Sequence, residues 1–332
     1  LPNLAQISTN GMKQLLSAPA SNQPFGLQAM TEEIHATFQI ESIHSSRNSI
    51  RHILNGYAPR NEEESRIYGM KRGLDFIADR QNAITEENLH QLYQISSGDY
   101  LPDEDRLLPD HFYRHDIVYV VGGEESREGL PAQQLPDAMK RLVDFANAKD
   151  GINELHKAAI LHFAFAYYHP YFDGNGRTAR LLHLWYLVQQ GYPAALFTPF
   201  SRYIAESKAT YYKAYDRVEK NALISGYTDV TPFLSYFCNE VYNRLQVDAA
   251  PPQIELQVYQ TALAEGKITE KERLLWEYVL SAYGTEEFTT KQLEKDFRNA
   301  AYATIRTFVM KFHEMGLLAA RKVGNRVFYK IA

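Results

Sequence analysis

The 332-residue sequence contains one cysteine, Cys238. That excludes an internal disulfide and any cysteine-rich zinc site, and leaves Cys238 as a small apolar packing residue. Long apolar runs are missing too. Nothing approaches the ~18 consecutive apolar residues of a spanning helix, and the longest candidate, residues 158–168, is interrupted by His162. The start lacks the charged, apolar, small-residue order of a secretory signal, so the expectation is a soluble, cytoplasmic protein with no membrane partner. Strong charge is absent as well: 35 basic against 40 acidic residues give a net charge of -5, and no overall field favours nucleic acid or an anionic membrane. The sequence has no Gly-x-x-x-x-Gly-Lys phosphate loop, no His-Glu-x-x-His zinc helix and no Gly-x-Ser-x-Gly elbow. His162 and His169 are seven positions apart, which on a helix separates them by about 10 Å, too far for a shared metal. What remains is a chain that is 45% hydrophobic, with 23 Tyr and 17 Phe, long enough for two or three domains with a real core.

The most informative stretch is 169–180, reading His169, Pro170, Tyr171, Phe172, Asp173, Gly174, Asn175, Gly176, Arg177, Thr178, Ala179, Arg180. It lies between two helix-like apolar segments, 152–168 and 181–190, and so reads as a helix-loop-helix joint. Gly174 and Gly176 flank Asn175 and would let the backbone take positive φ and turn its N–H groups into a concavity for phosphate oxygens. Arg177 and Arg180 are three apart and share a helix face. Both stand at the positive end of the helix dipole, a conflict that a bound anion would remove. Such a helix start with two forked guanidinium groups suits a polyphosphate. Asp173 supplies the oxygen ligand that Mg²⁺ accepts when phosphates complete its shell, and His169 titrates near neutral pH and is the candidate general base.

These residues resemble the signature of the Fic family, His-Pro-Phe-x-Asp-Gly-Asn-Gly-Arg-x-x-Arg, with Tyr171 in place of Phe. The Tyr171 hydroxyl needs a partner if buried. The resemblance implies transfer of AMP from ATP to a Ser, Thr or Tyr hydroxyl of a target protein, an adenylyltransferase reaction. It implies that His169 deprotonates the target hydroxyl, Asp173 holds Mg²⁺, and the backbone of Gly174, Asn175 and Gly176 cradles the α and β phosphates. Arg177 and Arg180 would hold the β and γ phosphates.

A second likeness lies upstream. Thr37, Phe38, Gln39, Ile40, Glu41, Ser42 resembles the family's inhibitory motif, Ser or Thr, three residues, Glu, then Gly or Asn, with Ser42 departing from the last position. It implies that Glu41 pairs with Arg180 and holds the enzyme inactive. The run Ile117 to Val121, followed by Gly122 and Gly123, reads as a β-hairpin. In the family a hairpin here, the flap, clamps the target segment by adding a strand. The family often carries a Tyr-Tyr pair after the signature, which makes Tyr212 the candidate for stacking on adenine, core packing being its other reading.

The expected fold is mainly α, a Fic helical core with a β-hairpin flap followed by a small winged-helix domain. Residues 1–60 are expected to hold an extended arm and the inhibitory helix, 61–248 the catalytic core, 249–269 a linker and helix, and 270–332 the winged helix. Within the core, helices are expected from Glu63 to about Asp79, from Thr85 onward, over 137–148, over 201–219 and over 231–245. The tail from Thr289 carries nine basic against three acidic residues and could contact DNA or protein. Two other readings stand beside AMP transfer: removal of AMP from a modified protein, and a DNA-binding regulator with the Fic core as sensor. A homodimer stays open.

Overall fold

Capping side chains set many helix starts in the computed structural model, which describes residues 16, 26–120, 127–248, 253–283 and 287–331. Ser46, Asn61, Thr85 and Asn153 each accept a hydrogen bond from a first-turn amide of the helix that follows. Each relieves one of the donors that a helix start leaves without an internal partner. Among the described residues, 31–247 form one compact unit, and 248–331 together with 26–30 form another.

The first unit is built from α1 (Gly26–Ile40) from Thr31 onward, α2 (Arg47–Leu54), α3 (Glu62–Ala78) and α4 (Glu86–Ser96). A hairpin of β1 (Tyr119–Val120) and β2 (Arg127–Glu128) follows. Next come α5 (Leu135–Asn147), α6 (Glu154–Tyr168), α7 (Asn175–Gln189), α8 (Phe200–Glu206), α9 (Lys208–Ser225), α10 (Thr231–Tyr236) and α11 (Asn243–Asp248). At its centre α7 is buried on every side from Arg177 to Val188, the pattern of a helix enclosed by neighbours rather than lying on a surface. Its partner α6 buries Leu155, Ala158, Leu161 and Phe165, each large side chain contributing roughly 1.5–3 kcal/mol. The connection between α6 and α7 is thus held at both ends by the best-packed part of the molecule.

Several elements differ from the sequence expectation. The helix after the signature begins at Asn175, not at Leu181, because Gly174 in the left-handed region (φ 79°) closes the loop six residues earlier. The segment 201–219 is two helices broken at Ser207, whose hydroxyl donates back to the Tyr203 carbonyl at 2.6 Å. Helix α2 was not among the expected helices. Between α10 and α11 the residues Phe237–Tyr242 form a π-helical stretch. The hairpin ladder is short, Tyr119 opposite Glu128 and Val120 opposite Arg127. Ile117 and Val118 precede the ladder, and Val121 to Ser126 lie outside the described residues, as do the proposed N-terminal arm apart from Leu16 and the Ala249 to Pro252 boundary.

The second unit contains α12 (Gln253–Ala264), α13 (Glu270–Ala282), α14 (Thr290–Phe297), α15 (Tyr302–Glu314) and a hairpin of β3 (Leu318–Val323) and β4 (Arg326–Ile331). Thr269 and Glu272 form a reciprocal capping box at the start of α13. Phe288 pairs with Tyr329 as an isolated bridge on the hairpin. One face of α15 is buried at Ile305, Phe308, Val309 and Phe312 and packs with Leu275, Val279 and Leu293.

No helix among the described residues is long and apolar enough to cross a membrane.

Candidate active site

The loop between α6 and α7 is fastened from within. His169 ends α6 in the left-handed conformation (φ 54°, ψ 61°), while its N–H still donates to the Phe165 carbonyl at 3.1 Å. Asn175, buried, clamps the loop from the other end: its Oδ1 accepts from the Tyr171 N–H at 2.9 Å and its Nδ2 donates to the Tyr171 carbonyl at 2.8 Å. The Asn175 side chain is thus occupied with loop geometry, and only its backbone N–H faces the helix mouth, where first-turn amides have no internal acceptor. Tyr171 is fully buried and stacks on Tyr93 of α4 at 3.6 Å between ring centres. Its hydroxyl finds no partner among the described residues. Burial drives that phenol well above its usual pKa.

The two glycines act differently from each other. Gly174 has positive φ, and a Cβ there would also meet Ser97 at 2.8 Å. Gly176 does not have the positive φ expected of it; it is helical, and what requires glycine is space. A Cβ on Gly176 would approach the Glu41 carboxylate at 2.4 Å and Arg180 Nη1 at 3.1 Å.

Glu41 occupies the mouth of α7. One carboxylate oxygen accepts from Arg177 Nε at 2.7 Å and the other from Arg180 Nη2. The carboxylate thus meets Arg180 and also Arg177, dividing between both signature arginines. Arg180 is held further by Thr37, whose Oγ1 accepts from Nε at 2.5 Å and whose carbonyl accepts from Nη2 at 3.2 Å. Both ends of the Thr37 to Glu41 motif thus grip one guanidinium. Burial works against the charged form of Glu41, but the two arginines outweigh it and hold the carboxyl below its ordinary value.

Local geometry explains why the acid sits there. Ser42 N–H donates to the Gln39 carbonyl at 3.1 Å and Ile43 N–H to the Phe38 carbonyl at 2.9 Å, while Ser42 has φ 59°. This is the Schellman closure of α1, with Glu41 as C-cap and Ser42 in the left-handed position that Gly or Asn fills most easily. An acid at a helix C-terminus and arginines at a helix N-terminus each oppose their own dipole. Bringing the two helix ends together resolves both conflicts. Upstream, the buried Glu33 carboxylate fastens the same helix to the core, accepting from the Ser201 N–H at 2.7 Å and its hydroxyl at 2.5 Å.

Asp173 is exposed. It accepts from the Gly174 N–H at 2.6 Å and pairs with Arg177 Nη2 at 3.1 Å. His169 Nδ1 lies 3.3 Å from the Ala166 carbonyl, so that nitrogen carries the proton and Nε2 holds the lone pair. Burial, with smaller help from Arg127 and Arg114, pushes the imidazole down to about 4, so it is neutral at pH 7 and able to accept a proton. Tyr212 is half-buried beside Tyr211 at 5.3 Å between ring centres, and the charges of Arg180 and Glu41 both reach its hydroxyl. The same charges reach Tyr211, whose hydroxyl is bonded to His162 at 2.9 Å.

Sequence reasoning missed two arginines. Arg114 is buried and donates through Nε to the His169 carbonyl at 2.8 Å, through Nη1 to the Asp116 carbonyl at 2.5 Å and through Nη2 to the Leu130 carbonyl. Arg127 of β2 donates to the Tyr167 carbonyl at 2.8 Å, lies over the Tyr167 ring at 4.4 Å and pairs with Glu219 at 2.6 Å. Their acceptors are mostly backbone, which leaves no sequence pattern to find.

Residues 83–187 match the family model described as Fic/DOC family. A protein adenylyltransferase Fic of Drosophila willistoni is 31% identical over 144 residues, 41% of this chain and 26% of its own length. A protein adenylyltransferase fic-1 of Caenorhabditis briggsae is 30% identical over 181 residues, 52% of this chain and 31% of its own length. The chain spans 18% to 32% of the length of such relatives. Among solved structures, a Fic family protein from Desulfovibrio desulfuricans G20 superposes with a TM-score of 0.61 at 16% identity, covering 100% of this chain and 96% of that one. Fic-1 of Caenorhabditis elegans, residues 134–508, gives 0.55 at 21% identity, covering 72% and 69%. The mainly helical architecture with its small hairpin matches these folds.

Proposed function

Taking as premise that this chain is a Fic family protein with its Fic domain at 83–187, we propose that it is a protein adenylyltransferase held inactive by Glu41. The observation that carries this reading is the carboxylate lodged between Arg177 and Arg180 at the start of α7. A cluster of two buried guanidinium groups and free first-turn amides is an anion site, and Glu41 occupies it in place of a phosphate.

In the active arrangement the amides of Gly174, Asn175 and Gly176 receive the α and β phosphates, and Arg177 and Arg180 the β and γ phosphates. His169 Nε2 takes the proton of a target Ser, Thr or Tyr hydroxyl. The oxygen forms a bond to the α phosphorus, the bond to the bridging oxygen breaks, and pyrophosphate leaves with its electron pair. Tyr212 supports the adenine, and the hairpin around Tyr119 receives the target segment. Among the described residues no three His, Cys, Asp or Glu side chains converge on a metal site. Asp173 alone therefore fits Mg²⁺ only when phosphate oxygens and water fill the other positions, and the ion would neutralise phosphate charge there.

Glu41 need not block ATP. By holding the guanidinium that should take the γ phosphate, it displaces the phosphate chain, and a shift of about 1 Å can cost about 10²-fold in rate. The test is incubation of wild type and Glu41→Gly with α-labelled ATP and Mg²⁺, with protein-bound label measured. Strong labelling by the variant alone is expected, and absence of label from both would remove the reading.

The second unit supports a separate proposal: a winged-helix module that contacts duplex DNA through the cations of its hairpin. Lys322, Arg326 and Lys330 are exposed, whereas Arg321 is already paired with Glu287. Affinity for duplex should fall steeply with salt, and binding that ignores ionic strength would remove this proposal.

A further inference from the structure

We propose that Arg114 is a positioning residue, one that locks the His169 carbonyl and both ends of the hairpin into a single shoulder and so fixes the spacing between base and target segment. This inference rests on the adenylyl-transfer reading. Arg114 is 2% exposed, and its donors go to main-chain carbonyls in three separate places: His169 at 2.8 Å, Asp116 at 2.5 Å before the hairpin, and Leu130 after it. Its own N–H donates to the Pro170 carbonyl at 2.9 Å. Burying a cation against neutral acceptors costs desolvation, and burial lowers the Arg114 pKa accordingly. What it secures is geometry.

That geometry needs securing at His169. A residue with a Cβ in the left-handed region is strained, and here the strained residue carries the imidazole. Arg114 fixes the following carbonyl, while Leu130 N–H donates to the Tyr168 carbonyl at 3.2 Å just before it. Packing is tight enough to demand glycine at 129: a Cβ there would lie 2.8 Å from Arg114 Nη2, 2.9 Å from Val118 Cγ2 and 3.4 Å from His169 Cβ. Gly129 has no positive φ, so the requirement is space alone. Four parts, the base, the arginine, the glycine and Val118 at the hairpin's base, thus meet at one point. The face of the hairpin turned to solvent shows Ile117 and Tyr119, 60% and 63% exposed, where a target strand would dock. The distance from that strand to His169 is set through Arg114.

Lysine keeps the charge at 114 but has no planar fork to reach several carbonyls at once. In a Glu41→Gly background, Arg114→Lys should lower kcat by about 10²-fold while leaving KM for Mg-ATP unchanged, because the phosphate groups are held by α7. Gly129→Ala, with Arg114 intact, should lower kcat in the same direction. Backbone hydrogen exchange supplies a reading independent of activity: in Arg114→Lys the Gly129 and Leu130 amides, bonded to Val118 and Tyr168, should exchange faster while α7 stays protected. Full kcat in Arg114→Lys, or a rise in KM that accounts for the whole loss, would overturn the proposal. If the Glu41→Gly parent itself labels nothing, the adenylyl-transfer reading fails, and exchange then decides: unaltered protection at Gly129 and Leu130 overturns the brace.

Discussion

Two arginine sites flank the loop from His169 to Gly174, and they are held in different ways. Arg177 and Arg180 are neutralised by Glu41, a side chain on another helix 136 and 139 positions away. Arg114 is satisfied by carbonyls of the very segments it joins. A carboxylate can be exchanged for a phosphate of like charge without disturbing the guanidinium groups. Backbone carbonyls cannot leave without unfolding the chain around them. On the proposed reading, the first site serves exchange and the second permanence. Substitutions on the two sides should differ accordingly, the first changing what binds and the second changing how accurately the reaction is aligned.

The largest effect is expected at the loop between them. His169→Ala, made in the Glu41→Gly background, should lower labelling by about 10²- to 10⁴-fold, the usual contribution of a positioned base. ATP affinity, measured by calorimetry, should hardly change, since the proposed phosphate contacts lie on α7. Undiminished labelling without His169 would exclude it as the base.

Next in size is Glu41→Gly itself, expected to raise labelling by about 10²-fold. A stability measurement sharpens the comparison. Removing one partner of a buried ion pair leaves charge uncompensated, at a cost of roughly 3–5 kcal/mol, reduced here because Glu41 is 19% exposed and water reaches it. The variant should melt below wild type without nucleotide and gain more from ATP than wild type does. Equal ATP-induced shifts in Tm would mean that Glu41 and the γ phosphate do not compete.

The contrast between exchangeable and fixed contacts also explains what was legible in the sequence. His169 to Arg180 are contiguous, and their residue types point to the proposed phosphate site before any fold is known. Glu41 was legible only because Thr37 and Glu41 share a short pattern, and the role of Arg177 as second partner was not. Arg114, Arg127 and Glu33 left no trace, because their partners are main-chain groups or single side chains, such as Glu219 and Ser201, at distant positions. Gly176 was misread for a physical reason: glycine signals either positive φ or crowding, and the sequence does not distinguish them. The early start of α7 follows from the same ambiguity, since a helical Gly176 belongs to the helix rather than the loop. Expected helix ends were otherwise displaced by only a few residues, where caps such as Thr85 and Asn153 fix them.

A smaller effect concerns pH. The folded pKa of His169, about 4, lies below the ordinary value of about 6.5. The unfolded chain therefore binds more protons between these values, and stability falls as pH drops from about 6.5 towards 4. His169→Gln lacks this loss, so the Tm difference between wild type and His169→Gln should move against wild type on going from pH 7 to pH 5. Glu41 acts in the same direction at lower pH: its lowered carboxyl keeps its ion pairs intact above the ordinary carboxylate range and loses them only as pH falls through the depressed value. Wild-type labelling should accordingly stay low down to pH 5, and a rise above that pH would contradict the pairing.

The smallest effect is predicted at Ser42, on the exchangeable side. With φ 59° it holds the left-handed position that closes α1, at a cost of roughly 1 kcal/mol for a residue bearing a Cβ. Glycine removes that strain, although it also gives the unfolded chain more freedom and so returns part of the gain. The local consequence is clearer than the global one. Ser42 follows Glu41 directly, and the hydrogen bonds from Ser42 to Gln39 and from Ile43 to Phe38 fix the direction in which the Glu41 side chain leaves the helix. Relaxing the turn should favour the inserted carboxylate over the displaced one by a few tenths to about 1 kcal/mol, or up to roughly fivefold in the residual labelling of otherwise wild-type protein. The expected outcome for Ser42→Gly is lower residual activity and a weaker response to ATP, with full activity restored when Glu41→Gly is added. Higher residual activity in Ser42→Gly would mean that the strained turn presses Glu41 into place, and the closure would then be a source of inhibition rather than a cost to it.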